Sequence, residues 1–259
     1  MSMLALTREV SPSLGRCELT HLSRRAIDVE AARAQHREYE RCLAELGCEV
    51  RRLPPLSDFP DAVFVEDTAV VLEEAAVILR PGAESRRAET VSAAAALKAF
   101  RRIYAIDPPG TLDGGDVLAL DRALYVGLSS RTNKAGIEQL KAICAPLGYS
   151  LKPVEIKGCL HLKSAVTRVG AKTLLVNRAR LDMSHFQAWD IVEVAPAEPM
   201  AANALLVGGS IIFPQAYEKT GRRLEDRGFS LRTVDISELA KAEGGVTCCS
   251  LIFGTASKL

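Results

Sequence analysis

Four times along this chain, two short apolar runs are separated by a turn of a few residues, the pattern of a β-hairpin. The pairs are Ala69–Leu72 with Ala76–Leu79, Val117–Leu120 with Ala123–Val126, Ala165–Val169 with Thr173–Val176, and Ala204–Val207 with Ile211–Phe213. Their turns centre near Glu74, Asp121, Gly170 and Gly208, at steps of 47, 49 and 38 residues. A period of this size indicates a structural repeat, in which each unit buries its apolar faces against its neighbours. After several hairpins the spacing becomes helical and ends at a glycine, which accepts the left-handed backbone that terminates a helix. Leu140, Ile143 and Leu147 lead to Gly148, and Leu224 leads to Gly228 and the strand-like run Phe229–Val234. Upstream, Val29, Ala32, His36, Tyr39, Leu43 and Leu46 recur at helical spacing and stop at Gly47, before Glu49 and Val50. Leu4–Val10 and Ser250–Phe253 are lone strand-like runs whose pairing would supply a fifth hairpin and close the repeats into a ring. An open α/β sheet with irregular connections fits the same pattern.

With 259 residues, 48% hydrophobic and 25% charged, the chain can bury one sizeable core, and a single domain over residues 1–259 is expected. Its 33 basic and 32 acidic residues give a formal net charge of +1, with no basic block able to neutralise a row of phosphates, so nucleic acid is not expected as a partner. Apolar runs such as Val63–Val65 and Ala204–Val207 fall far short of the ~20 residues needed to cross a bilayer. Met1 to Val10 lacks the basic start and long apolar stretch of a signal peptide, and a cytoplasmic location without membrane association is expected. Seven scattered cysteines, an odd number, suit reduced thiols rather than a disulfide framework. Cys42 and Cys48 lie near His36, but the spacing matches no common zinc pattern, and no metal or cofactor is expected.

The chemically capable residues gather at one position of the repeat. Glu66 and Asp67, Asp113 and Asp116, His161 and Lys163, Asn203, and Cys248 all stand just before the first strand of a unit. If the units turn about a common axis, these positions converge, bringing a nucleophile, a proton carrier and charge partners together from separate segments. Cys248 follows Gly244 and Gly245, which permit close backbone approach to a ligand. Cys249 competes with it, although strand alternation would point the two thiols to opposite faces. His161 titrates near neutrality, which suits protonation of a leaving amine followed by activation of water. Asp113 either orients that imidazole or serves as ordinary turn chemistry before two glycines. Asp61, Glu66 and Asp67 concentrate carboxylates beside apolar strands, where a planar guanidinium would compensate them or where they simply form a solvated strand end. Arg86 and Arg131 have the donor geometry to clamp a carboxylate.

In their literal strings, these residues resemble the dimethylarginine dimethylaminohydrolase family of the pentein, or guanidino-modifying, superfamily. The matching segments are Phe64 to Val71, Arg80 to Ala83 with Ser85 to Arg87, Leu112 to Leu118, and Val126 to Ser129 with Arg131 to Asn133. They continue with His161 to Ser164, Ala201 to Asn203, and Thr247 to Ser250, in family order over about nine tenths of the chain. The resemblance implies an α/β five-bladed propeller of ββαβ units with pseudo-fivefold symmetry. It implies that Cys248 attacks the guanidinium carbon, that His161, steadied by Asp113, protonates the departing alkylamine, and that a thiouronium-type intermediate is hydrolysed to citrulline. Asp61, Glu66 and Asp67 would hold the guanidinium, and Arg86 and Arg131 the α-carboxylate. A lid matching Cys17 to Leu22 would close over the amino-acid end, with backbone carbonyls from Leu19 and Ala242. The chain departs from the family in a short segment before this lid and in Glu243, where an Asp is common. The implied partner is a small arginine-type molecule, and the protein a monomer or homodimer. An arginine deiminase, an amidinotransferase, or a pentein-fold module that binds without catalysis would share much of this pattern.

Overall fold

The computed structural model describes residues 2–255. In chain order it contains β1 (Ser2–Thr7), α1 (Val29–Glu45), β2 (Cys48–Arg52), β3 (Ala69–Val71), β4 (Ala75–Ile78), α2 (Thr90–Leu97) and β5 (Arg102–Ala105). Then come β6 (Val117–Leu120), β7 (Ala123–Leu128), α3 (Lys134–Cys144), β8 (Ser150–Glu155), β9 (Val166–Arg168), β10 (Thr173–Val176) and β11 (Asp190–Glu193). β12 (Leu205–Val207), β13 (Ser210–Pro214), α4 (Glu218–Glu225), β14 (Leu231–Val234), α5 (Ser237–Ala240) and β15 (Leu251–Thr255) complete it.

These strands form five three-stranded sheets, ordered β15-β1-β2, β3-β4-β5, β6-β7-β8, β9-β10-β11 and β12-β13-β14. In each, an antiparallel hairpin pair is followed by a parallel third strand. Four sheets carry an α-helix in that crossover; the sheet of β9 to β11 has only the 3-10 turns Arg178–Arg180 and Met183–Phe186. Its missing helix accounts for the shorter step between the third and fourth hairpins. The terminal runs pair as expected, with Leu4 opposite Phe253 and Leu6 opposite Leu251. The first strand ends at Thr7 rather than Val10, because the Ser11 and Ser13 hydroxyls both donate to the Ser57 carbonyl and turn the chain away.

Period-two alternation buries both faces of the inner strands, since successive side chains point to opposite sides. On β7, Leu124 and Val126 pack with α3 and the sheet of β3 to β5, whereas Tyr125 packs with Val166 and Phe186 on the other side. On β13, Ile212 joins α1, and Ile211 and Phe213 join Leu175 and Leu224. Five apolar clusters arise in this way, each spanning two sheets that are consecutive in sequence, and one of them joins the last sheet to the first. The helices dock by their apolar stripes. α1 is capped by the Asp28 carboxylate, which accepts the Ala31 N–H, buries Ala32, Tyr39 and Leu43, and stops before Gly47 at φ 93°. Cys42 and Cys48 are core residues here, and burial pushes both thiols up. No helix among the described residues is long and apolar enough to cross a membrane.

The element that positions the site is the short 3-10 turn ahead of the first strand in three sheets: Val65–Thr68, Gly114–Asp116 and Leu162–Ser164. These turns pack against one another, and glycine is required where they touch. A Cβ on Gly114 would strike the Glu66 carbonyl, and one on Gly115 would lie 2.5 Å from His161 Nδ1.

Candidate active site

Cys248 and His161 stand on the wall shared by two cavities. The larger, of about 150 Å³, also reaches Glu66, Lys163 and Asn203; the smaller, of about 20 Å³, reaches Asp61, Asp67, Arg86, Arg131 and Ala242. Cys249, the competing thiol, is 1% exposed and lies in the core beneath α1, so only Cys248 is presented to a ligand.

Backbone contacts carry Cys248 to the carboxylates. Its carbonyl accepts the Glu66 N–H at 3.1 Å, and its Sγ accepts the Gly245 N–H at 3.3 Å. Burial, then the charges of Glu66 and Asp67, push the thiol up to about 12, against the weaker opposing bonds from Gly245 and Thr247. The free site therefore holds a neutral thiol near pH 7. Its neighbour Thr247 donates to Glu66 Oε2 at 2.7 Å, while the Asn203 amide both donates to the Thr247 hydroxyl and accepts its N–H. Lys163 Nζ donates to the other Glu66 oxygen at 2.6 Å and to the Gly114 carbonyl. Sequence reasoning placed Lys163 and Asn203 at the right position of the repeat without assigning them a task; together they fix Glu66 and the turn carrying Cys248.

His161 is bound at Nε2 by Asp113 Oδ2, 3.0 Å away, and Asp113 Oδ1 accepts the Gly82 N–H at 2.8 Å. Nδ1 has no protein partner among the described residues. Burial would lower the imidazole, but Asp67, the Asp113 bond and Asp116 outweigh it and raise it to about 9, so the ring is protonated near neutrality. Asp113, of two open roles, orients the histidine. Asp116, fully buried, accepts from Ser129 Oγ and Thr132 Oγ1 at 2.6 Å each and from the Leu162 N–H at 2.9 Å. It ties the histidine turn to the loop that follows β7, and burial raises it to about 6 despite His161 and these donors.

Arg86 is 4% exposed, and most of its donors are engaged. Nη1 binds Asp67 Oδ2 at 2.6 Å, Nε binds Glu89, and Nη2 reaches Glu89 and the Phe64 carbonyl. Asp67 in turn accepts the Gly115 N–H at 3.0 Å. Burial alone would raise Asp67, yet His161 and Arg86 hold it well below the usual carboxylate range. Glu89, which went unnoticed in the sequence, is the second counter-ion of this buried guanidinium. Asp67, Asp113 and His161 place donor atoms within 4.8 Å of one another, the one such group among the described residues with three candidate metal ligands. Arg86, Gly115 and Gly82 already occupy its carboxylates, so a proton network accounts for the grouping.

The segment that matches the family's lid, Cys17 to Leu22, borders the smaller cavity. The Glu18 N–H donates to Asp61 Oδ2 at 3.0 Å, Arg131 Nη2 donates to the Thr20 hydroxyl at 3.0 Å, and Glu18 accepts from Ser85. Burial raises Asp61 against the opposing charge of Arg86. Glu243, at a left-handed φ of 60°, accepts the N–H groups of Thr20, His21 and Leu22, at 2.6 Å for the latter two. Leu19 is half-buried against the core, and Glu18, not Leu19, lines the cleft. A volume of 20 Å³ holds roughly one water. Asp61 and Arg131 thus each make one hydrogen bond to this segment.

Five three-stranded sheets, four of them ββαβ units, that bring a thiol, a carboxylate-bound imidazole and further buried carboxylates to one place define a member of the pentein superfamily. A family model described as "N,N dimethylarginine dimethylhydrolase, eukaryotic" matches residues 19–252. An N(G),N(G)-dimethylarginine dimethylaminohydrolase of Streptomyces coelicolor is 39% identical, with the match covering 96% of each chain. Its namesake in Pseudomonas aeruginosa is 36% identical over 87% of this chain and 90% of that one. A solved structure of the Pseudomonas aeruginosa protein, a cysteine-to-serine mutant complexed with citrulline, superposes with a TM-score of 0.93 at 34% identity, covering 98% of this chain and 100% of that chain. The chain belongs to the dimethylarginine dimethylaminohydrolase family.

Proposed function

We propose that this protein hydrolyses Nω-methylated arginine, dimethylarginine above all, to citrulline and an alkylamine. The observation that carries the reading is the placement of Cys248 and His161 on a wall common to a carboxylate- and arginine-lined cleft and a second, larger cavity. Family membership supports it.

The substrate guanidinium sits against Asp61, Glu66 and Asp67, with its α-carboxylate on Arg131 and the remaining donor capacity of Arg86 and the Ala242 carbonyl beside its amino-acid end, once the lid bonds to Asp61 and Arg131 give way to it. A cation beside Cys248 offsets the charges of Glu66 and Asp67 that keep the thiol protonated, so substrate binding itself favours the thiolate. The thiolate forms a bond to the guanidinium carbon; the carbon–nitrogen bond to the alkylamine breaks, and the amine leaves with the proton of the His161 imidazolium. His161, now neutral, takes a proton from water, whose oxygen adds to the thiouronium carbon. Loss of the thiol returns Cys248 and yields citrulline. Asp113 holds the imidazole through both steps.

The cyclic chain of five apolar clusters supports reading the fold as a single-domain five-bladed propeller with the site on its axis. The seven free thiols suit a reducing cytoplasm.

The test is incubation with asymmetric dimethylarginine and, in parallel, arginine, with quantification of citrulline and released amine and with Cys248→Ser as control. Citrulline with dimethylamine, lost in the variant, supports the reading. Citrulline from arginine alone transfers the assignment to a deiminase, and no product from either substrate overturns the hydrolase.

A further inference from the structure

The larger cavity is more spacious than the proposed reaction requires. Its walls beyond the reactive residues are mainly apolar: Leu22 from the lid, Met200, Pro214, Tyr217, Ile236 and Ala240. Among the described residues, three large hydrophobic side chains are exposed, and two of them, Leu22 at 43% and Met200 at 42%, stand on this wall. Exposed apolar side chains grouped around a cavity indicate a surface that receives an apolar group. A cavity of about 150 Å³ lined by apolar residues is large enough for a benzene-sized guest, far beyond two methyl groups.

Its position decides which part of a substrate it takes. The α-carboxylate has its counter-charges in the smaller cleft, at Arg86 and Arg131. Cys248 and His161 belong to both cavities, so a guanidinium carbon at Cys248 leaves its alkylated nitrogen facing the larger one. We propose that this cavity receives the Nω-substituent, and that the protein hydrolyses arginines carrying an Nω-alkyl group larger than methyl, with propyl as the representative case. This rests on the hydrolase reading above. The bond changes are unaltered: Cys248 displaces propylamine, which leaves with the proton of His161, and water completes the conversion to citrulline.

The experiment compares kcat/KM for Nω-propyl-L-arginine and asymmetric dimethylarginine, with propylamine and citrulline quantified, in the wild-type protein and in the separate variants Ala216→Phe and Ala240→Phe. These alanines line the cavity on two different segments, one in the loop after β13 and one on α5, so misfolding of one variant leaves the other informative. The wild type should process the propyl substrate within roughly tenfold of the dimethyl substrate, and each filled cavity should lower the propyl rate by about tenfold or more while the dimethyl rate stays within about twofold. Turnover of dimethylarginine with propyl-arginine more than about 100-fold poorer overturns the proposal, as does equal loss on both substrates in the folded variants. Turnover of neither substrate removes the hydrolase reading instead, and this inference with it.

Discussion

His161 Nε2 lies 3.0 Å from Asp113 Oδ2, with both side chains buried, and this contact adds to the larger influence of the Asp67 charge in keeping the imidazole protonated. The imidazole is raised from 6.5 to about 9. Because the folded-state value lies above the unfolded one, the stability it contributes is complete below pH 6.5 and is lost as pH rises through about 9. In the mechanism proposed above, the same titration removes the proton the leaving amine needs. The pH profile of kcat/KM should therefore fall on the alkaline side near pH 9. In Asp113→Asn that limb should move to lower pH and the rate should drop roughly 10²-fold or more. An unchanged limb in the variant would remove Asp113 from the histidine's control.

Burial beside Glu66 and Asp67 keeps Cys248 a thiol, raised to about 12. Ultraviolet difference titration of the free protein against Cys248→Ser should show no thiolate band from this residue at neutral pH. A cationic arginine analogue should bring the band into the neutral range. Substantial thiolate without ligand would contradict the account of how the nucleophile is activated.

The two arginines should separate cleanly in mutants. Arg131 is half-buried and bonded to the Thr20 hydroxyl of the lid, so Arg131→Lys should raise KM with kcat largely kept. Arg86 is enclosed between Asp67 and Glu89, and Arg86→Met leaves two buried carboxylates without their cation. Removing one partner of such a network costs about 3–5 kcal/mol, to be read from the urea unfolding midpoint at unchanged m-value.

Glu243 latches the lid, since one carboxylate accepts three consecutive N–H groups. Glu243→Ala should loosen Thr20, His21 and Leu22, and a loss of about 1.4 kcal/mol in lid closure corresponds to roughly tenfold faster amide exchange. Global stability should change little, because the carboxylate is only partly buried. If exchange at these amides is unaffected, another contact holds the lid.

Much of this arrangement was legible in the residues alone. Period-two runs, glycine-terminated helices and the two unpaired terminal runs depend on sterics and apolar spacing within a few residues, so they survive in a linear reading. The reactive groups were legible for a related reason: a repeat places equivalent turns together, and Cys248, His161, Asp113 and Glu66 occupy equivalent turns. Cys248 and Cys249 could be separated only by alternation, and the fold shows which of the two is buried beneath α1. Arg86 read as a free clamp, yet it is largely engaged by Asp67 and by Glu89, a residue with no local signature.

What the sequence determined by itself is the repeating unit, the residue types at its turns and the family to which they belong. The tertiary structure decided the charge state and availability of each group. Asp116 reaches across 46 residues to the Leu162 N–H, Lys163 across 97 to Glu66, and Thr247 across 181 to the same carboxylate. Electrostatic energy depends on distance through space and on exclusion of water, and both arise only when separate turns are packed against one another.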